Sequence, residues 1–402
     1  MGQHDDAAAA MAWLVRESHL MAPEDLPRLA DVGARRFGAG GCRLYLVTRD
    51  QRSLRPLPAP GPAAEPAADL GLDGTLAGRA FRTSEVVASS AAEPRLWLPL
   101  LDGTERLGVV ELLVEPGTDL AELEAAALPF CGLLAELLVS KSQYTDLYER
   151  LRRAVPMGVA AEMLWRQLPP LTFATRRFVL SAQLEPWHEV GGDAFDYSVD
   201  GGTLHLAVFD AMGHGLGATL MAGVALAAYR NSRRGGLSLT ETAAAVDDVL
   251  ARQFGDESFV TAVLGRLDLE TGRLRLLCAA HPAPLLVRGG RPVGEVVVPP
   301  GVPLGFGGRD DDVVETSLEP GDRLLLFSDG VVEARSTGGD FFGLERLVDL
   351  LTREESGGQA PPETLRRLIL AVLEHQDDML QDDATLLLLE WAGDAEELLP
   401  RR

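Results

Sequence analysis

Apolar residues recur at helical spacing over Ala8–Met21 and Pro23–Phe37, and the pattern then changes to strand-like runs at Cys42–Thr48 and Ser53–Pro58. The Pro/Ala-rich stretch Pro56–Ala68 interrupts it and reads as a loop. A short helix at Leu76–Arg82, a strand at Glu85–Ala88 and two strands at Leu96–Leu101 and Leu107–Val114 follow; Asp102-Gly103-Thr104-Glu105 joins the last two as a hairpin. Asp119 then caps a long helical pattern with Leu123, Leu133, Leu134, Leu137, Leu138, Leu147 and Leu151 on its apolar positions, continuing to Pro156.

Beyond Thr172 the period shortens. Strands are expected at Phe178–Leu184, Ala194–Val199, Leu204–Phe209, Phe259–Leu267, Arg273–Ala279, Leu285–Arg288, Arg323–Ser328 and Thr385–Trp391, with Glu270-Thr271-Gly272 as a hairpin turn. Helical stretches at Leu216–Asn231, Leu239–Phe254, Leu344–Leu351 and Pro362–His375 separate them. Strands broken by two groups of helices imply an antiparallel sandwich flanked by helices, not a parallel βαβ sheet.

At 402 residues the chain is long enough for two domains, and 46% hydrophobic with 24% charged residues is the composition of a soluble globular protein. Cys42, Cys131 and Cys278 form no CxxC pair, which argues against a disulfide framework or a thiolate zinc site. A formal charge of −23 disfavours nucleic acid and anionic membranes as partners. Met1–Ala10 lacks a basic leader, and the apolar stretches Ala125–Val139 and Leu216–Tyr229 are too short or interrupted to suggest a membrane span, so a cytoplasmic location is expected.

The chemistry is carried by aspartates at strand ends. Leu204–Phe209 runs into Asp210 and then the tight loop Gly213-His214-Gly215, while Arg323–Ser328 runs into Asp329-Gly330. Asp382 and Asp383 precede the strand at Thr385, and Asp193 and Asp196 follow Gly191-Gly192. Taken singly, each reads equally well as a turn or helix-cap residue and as a ligand. Taken together, carboxylates at four strand ends of one sandwich repel one another unless a cation offsets them. An all-oxygen donor set favours Mg²⁺ or Mn²⁺, and a two-metal site of that kind suits phosphate-ester hydrolysis.

The strings GGDAFDY (191–197), FDAMGHG (209–215), FVTAVLG (259–265), GVPLG (301–305), GDRLLLFSDGVVEAR (321–335) and QDDATLLLL (381–389) together resemble the ordered signature of SpoIIE/RsbU-type phosphatases, the bacterial branch of the metal-dependent PPM protein phosphatases. The resemblance runs from about Ala161 to Trp391 and implies an αββα sandwich. It further implies that Asp210 bridges two or more Mn²⁺ or Mg²⁺ ions, that Asp193, the Ala211 carbonyl, Asp329 and Asp382 complete the metal set, and that Asp196, His214 and Asp383 support it. The implied substrate is a phosphoserine or phosphothreonine on a STAS-type anti-sigma-factor antagonist, hydrolysed by direct attack of water. Cys278-Ala279-Ala280-His281-Pro282 departs from the family's Asn-Ala-Gly-His-Pro; His281 reads as structural and Cys278 as a small buried hydrophobe.

In the first third of the chain, Asp73-Gly74-Thr75-Leu76-Ala77-Gly78 ahead of a helix, with the following hairpin, resembles a GAF domain, which implies a pocket for a small ligand or partner. The expected α/β (α+β) organisation is therefore a GAF-like sensor at 1–140, a helical linker at 141–170, an αββα phosphatase domain at 171–393 and a tail at 394–402; the helical stretch Glu122–Val155 either pairs in a homodimer or covers an apolar face. Met163–Pro170 resembles the family's entry from a regulatory helix into the phosphatase domain. Three rivals compete with this reading. A silent phosphoprotein-binding scaffold of the same fold would be expected to lack some of the carboxylates, and a GGDEF-like cyclase loop leaves Asp329 and Asp382 unexplained. The motifs do not separate a hydrolase of small phosphate esters from a protein phosphatase.

Overall fold

The computed structural model describes residues 3–59, 67–89, 94–185, 191–255, 257–377 and 380–393; most of the Pro56–Ala68 loop and the tail 394–402 fall outside them. The chain divides into two compact units, Met1–Pro156 and Met157–Arg402.

The N-terminal unit runs α1 (Gln3–Ser18), α2 (Leu26–Arg36), β1 (Ala39–Val47), β2 (Ser53–Pro56), β3 (Leu70–Gly71), α3 (Leu76–Thr83), β4 (Val87–Ser89), β5 (Arg95–Asp102), β6 (Glu105–Val114), α4 (Leu120–Ser142) and α5 (Leu147–Arg152). Its strands form one antiparallel sheet in the order β3-β2-β1-β6-β5-β4. Alternation along the strands divides its faces. Leu44, Leu46, Leu98 and Leu112 pack with α1, α2 and α4, whereas Tyr45, Val47, Trp97 and Val109 pack with α3. On the second face Glu111 is fully buried, held by the Tyr45 hydroxyl at 3.2 Å and by Arg95 and Arg43.

The helical pattern expected to continue from Asp119 to Pro156 breaks after Ser142. Thr145 Oγ1 accepts from the amide of Leu147 at 3.1 Å and starts a new helix, α5, whose Leu147 and Leu151 pack on the same core as α4. Helix α4, at 23 residues, is long and apolar enough to cross a membrane by length and composition, contrary to the shorter span read from the sequence. Its Leu123, Ala127, Phe130, Leu134 and Leu138 are instead part of the N-terminal core.

The C-terminal unit begins with α6 (Val159–Trp165), β7 (Thr172–Ala174), β8 (Phe178–Glu185), β9 (Asp193–Asp200), β10 (Thr203–Ala211), α7 (Gly215–Arg234) and α8 (Leu239–Phe254). It continues with β11 (Val260–Asp268), β12 (Arg273–Ala279), β13 (Leu285–Arg288), β14 (Arg291–Glu295), β15 (Pro300–Gly301), β16 (Val314–Ser317), β17 (Arg323–Phe327), α9 (Asp329–Val332), α10 (Leu344–Ser356), α11 (Pro361–His375) and β18 (Ala384–Trp391). One sheet is ordered β15-β12-β11-β10-β9 with β16 beside β12, and the other β14-β13-β17-β18-β8-β7.

Residue parity makes the four layers. Phe195, Val208, Val263 and Leu276 from the first sheet meet Leu180, Leu326 and Leu387 from the second between the sheets. The alternate residues Ala194, Phe209 and Leu264 pack under α7 and α8, and Leu325, Phe327 and Leu388 under α10 and α11. This is the αββα sandwich. The short strands β14, β15 and β16 have no counterpart in the sequence reading, because Pro292, Pro300 and polar residues dilute their apolar period.

Since Leu151 packs on the N-terminal core, Leu151→Glu is expected to lower the stability of that unit by roughly 1–3 kcal/mol through lost packing and a partly buried charge. A urea melt of the full chain that leaves the N-terminal transition unmoved would contradict this packing.

Candidate functional site

The alternation that fills the inter-sheet core with apolar residues continues to one end of the sandwich, where the inward positions become polar. Asp210 follows Leu206 and Val208 on β10, Thr261 precedes Val263 on β11, and Asp193 precedes Phe195 on β9. In the second sheet Ser328 follows Leu326, and Asp383 and Thr385 precede Leu387. Asp210 lies directly opposite Asp193 in one ladder and opposite Thr261 in the other. Asp329 opens α9 just beyond β17, and Asp382 and Asp383 stand just before β18.

The two sheets are joined at this end by Asp383. Its Oδ2 accepts from the amides of Gly191, Gly192 and Asp193 at 2.6, 2.8 and 3.2 Å, so this carboxylate anchors the loop that leads into β9. The Thr219 hydroxyl donates to the Gly191 carbonyl at 2.9 Å and ties the same loop to α7. Two glycines are sterically required. A Cβ on Gly192 would lie 2.3 Å from the Ala211 carbonyl oxygen, and one on Gly330 would lie 1.9 Å from the Asp383 carbonyl oxygen. Ser328 knits β17 to β18: its amide donates to the Thr385 carbonyl at 3.0 Å, and its hydroxyl accepts from the Thr385 amide at 3.0 Å.

Electrostatically the cluster is under load. Burial, then Asp329, Asp382 and Asp383, push the Asp210 carboxyl up to about 7. Burial, then Asp210 and Asp383, push Asp193 well above the usual carboxylate range; nearby Ser328 and Thr385 hydroxyls temper this but leave Asp193 Oδ2 buried without a hydrogen-bond partner. Burial, followed by Asp382 and Glu333, raises Asp329. Asp383 is raised to about 6 by burial, against the three amides that favour its charged form.

The remaining expected residues separate into different surroundings. Asp382 is exposed, with its Oδ1 accepting from the Asp383 amide at 2.9 Å, and His214 is exposed in the loop before α7. Asp196 faces away from the inter-sheet end: it shares the helix side of β9 with Ala194 and is paired with Arg230 and Arg233 of α7, each at 2.7 Å. It fastens β9 to α7 and does not touch the other carboxylates. Ser328, Thr385, Thr219 and Thr261 were not singled out from the sequence, although Ser328 and Thr261 stand inside the FSDG and FVTAV strings as polar residues at inward strand-end positions.

Among the described residues, no three His, Cys, Asp or Glu side chains are gathered closely enough to form a ready-made metal cage. The donor set nevertheless suits a hard divalent cation: the oxygens are carboxylate or carbonyl, Asp193 Oδ2 lacks a partner, and neighbouring carboxylates raise one another's affinity for protons.

Residues 200–392, just under half of the chain, match the family model described as Stage II sporulation protein E (SpoIIE). Among curated proteins, the chain is similar to protein IcfG of Synechocystis sp., 28% identical over 144 residues that make up 35% of this chain and 22% of that protein. It is also similar to phosphoserine phosphatase RsbU of Bacillus subtilis, 24% identical over 206 residues, 51% of this chain and 60% of that protein. The chain thus spans less than two thirds of either relative. Similar solved structures include the RsbU and RsbW domains of Rv1364c from Mycobacterium tuberculosis, with 27% identity and a TM-score of 0.48 over 54% of this chain and 62% of that one. The SiaA-PP2C domain of Pseudomonas aeruginosa gives 21% identity and a TM-score of 0.49 over 58% of this chain and 94% of that one.

Two outcomes follow from this geometry. A carboxyl whose folded pKa is raised contributes stability that is fully present below its unfolded pKa and is lost as pH rises through the folded one. For Asp210 that window runs from about 4 to about 7. In EDTA, the unfolding midpoint of wild type relative to Asp210→Asn is therefore expected to fall across this window, and a pH-independent difference would contradict the buried repulsion. Gly330→Ala is expected to destabilise the C-terminal unit by roughly 2–4 kcal/mol, because β18 must move to admit the methyl group. An unshifted denaturant midpoint would contradict the close approach.

Proposed function

We propose that this chain, whose C-terminal unit carries the SpoIIE match and the αββα layering, is a metal-dependent protein serine/threonine phosphatase. The observation that carries the reading is the set of inward carboxylates Asp193, Asp210 and Asp383 at one end of the inter-sheet core, with Asp329 and Asp382 beside them and Asp193 Oδ2 unpartnered. Asp193, Asp210, the Ala211 carbonyl, Asp329 and Asp382 would hold two or more Mn²⁺ or Mg²⁺ ions. Such ions, when bound, supply positive charge for a phosphoryl group and lower the pKa of an attacking water.

The chain's own residues set the stage for hydrolysis. Two flanking ladders fix Asp210 in a strand, while Asp383 anchors the glycine loop so that Asp193 is delivered opposite it. Attack by water without a phosphoenzyme is supported by the state of Cys278, the one cysteine in this unit. Its thiol is raised by burial and donates to the His281 carbonyl at 3.0 Å, so it is not poised as a nucleophile. His214, exposed in the Gly213–Gly215 loop, is free of the core and available to protonate a leaving serine or threonine oxygen.

The substrate we assign is a phosphoserine or phosphothreonine on a STAS-type regulator, a reading supported by the similarity to a relative that is named a phosphoserine phosphatase. The N-terminal unit is assigned as a GAF-like sensor for a small ligand or partner. A cytoplasmic homodimer using the helices between the two sheet-bearing regions completes the proposal.

The test is hydrolysis of p-nitrophenyl phosphate and of a phosphorylated STAS-domain protein by the purified chain in Mn²⁺, Mg²⁺ or EDTA. Turnover is expected with metal and not with EDTA, at least about 100-fold lower in Asp210→Asn and Asp329→Asn, and faster on the phosphoprotein. Metal binding without turnover on either substrate would favour the scaffold reading, and turnover on the small ester alone would favour a small-molecule hydrolase.

A further inference from the structure

We propose that His281 is a positioning residue for the carboxylate site, a strut across the sandwich that fixes the strand ends bearing Asp210 and Asp329 relative to each other. The inference rests on the phosphatase reading above for its catalytic consequence and on geometry for its existence. His281 Nδ1 lies 2.7 Å from the hydroxyl of Thr261, the residue directly opposite Asp210 in the β10–β11 ladder. Its Nε2 lies 3.1 Å from the carbonyl oxygen of Phe327, two residues before Asp329. A carbonyl only accepts, so Nε2 carries the proton; with the ring neutral, the Thr261 hydroxyl then donates to Nδ1. Burial, which drives the imidazole down to about 4, keeps the ring in that neutral form.

One buried ring therefore connects the β11 strand of the first sheet to the β17 strand of the second, through two directional bonds. Apart from the three amides that donate to Asp383, the contacts between the sheets are largely apolar, and apolar contacts resist sliding less than oriented hydrogen bonds do. The turn that delivers the ring is itself constrained. Ala280 sits at φ 54, a left-handed conformation that glycine adopts more readily, and Cys278 Sγ donates to the carbonyl of His281 at 3.0 Å. A non-glycine residue persists there only where its surroundings over-determine it. The thiol on one side and the two ring bonds on the other provide that constraint.

Thr261→Val and His281→Gln cut the same bond from opposite ends, and glutamine retains an N–H able to reach Phe327. In the full-length chain each is expected to lower kcat for p-nitrophenyl phosphate by about tenfold or more with KM changed less than about threefold, and to weaken Mn²⁺ binding in calorimetry by a comparable factor. The double variant should be no worse than either single one, and Thr261→Ser, which restores the hydroxyl, should recover most of the loss. Variants that melt earlier yet, while folded, keep kcat and Mn²⁺ affinity within about twofold would overturn the strut, as would Thr261→Ser being as impaired as Thr261→Val. If the wild type binds Mn²⁺ without turning over either p-nitrophenyl phosphate or the phosphoprotein, the phosphatase reading fails and calorimetry alone decides the strut. A wild type that neither binds Mn²⁺ nor turns over overturns both.

Discussion

Asp193 and Asp210 face each other across adjacent antiparallel strands, and both point into the space between two sheets, where water is scarce and like charges repel most strongly. Cross-strand pairs of like charge are ordinarily destabilising, and here the pair is aggravated by Asp383 from the facing sheet. Several other buried or half-buried carboxylates of the unit meet an arginine: Asp196 meets Arg230 and Arg233, Asp322 meets Arg288, Asp311 meets Arg309 and Glu390 meets Arg323. The contrast is informative because it lies within one fold. Those carboxylates hold elements together through an arginine; among the described residues none is paired with Asp193, Asp210 or Asp383, and their charge is left for something that is not a side chain.

Such a cluster persists only if the backbone holds it in place against its own repulsion. The means of doing so are visible at each strand end. Three amides converge on Asp383, Gly192 and Gly330 let neighbouring carbonyls approach more closely than any side chain would allow, and Ser328 bonds twice to Thr385. His281 adds a bond from each sheet. The C-terminal core supplies the rigidity on which this rests, since each sheet is covered on its outer side by a separate pair of helices and the two sheets share a dense apolar interior.

Much of this was legible in the sequence, for a physical reason. Apolar runs such as Leu324–Phe327 and Leu204–Phe209 announced buried strands and where they end. The positions of Asp210, Asp329 and the Asp382-Asp383 pair at strand ends followed directly. What did not follow was the pairing across space. That Asp383 reaches Gly191 to Asp193, that Asp196 turns to the helix side, and that His281 spans Thr261 and Phe327 all depend on how two sheets stack, which no local period encodes. Asp196 shows the limit most clearly: it sits three residues from Asp193, an odd spacing that sends the two side chains to opposite faces of β9. In the N-terminal unit the error was of another kind. The helical pattern was read through Gln143 and Tyr144, but Thr145 Oγ1 takes the Leu147 amide and the chain restarts as a separate helix.

The Cys278–Pro282 turn connects these two levels. At Ala280 a residue that resists the left-handed conformation nevertheless holds it, and Cys278 places a thiol at the head of the same turn. The thiol supplies one bond to the His281 carbonyl, and the imidazole supplies the other two. A local sequence preference has thus been overridden by tertiary bonds that all involve one residue, His281. That residue is bonded to both strands flanking the carboxylates and to no carboxylate itself. Its chemical contribution is therefore directional: a ring that stays neutral in the interior can accept from one sheet and donate to the other without adding charge to a site whose defining property is an excess of it.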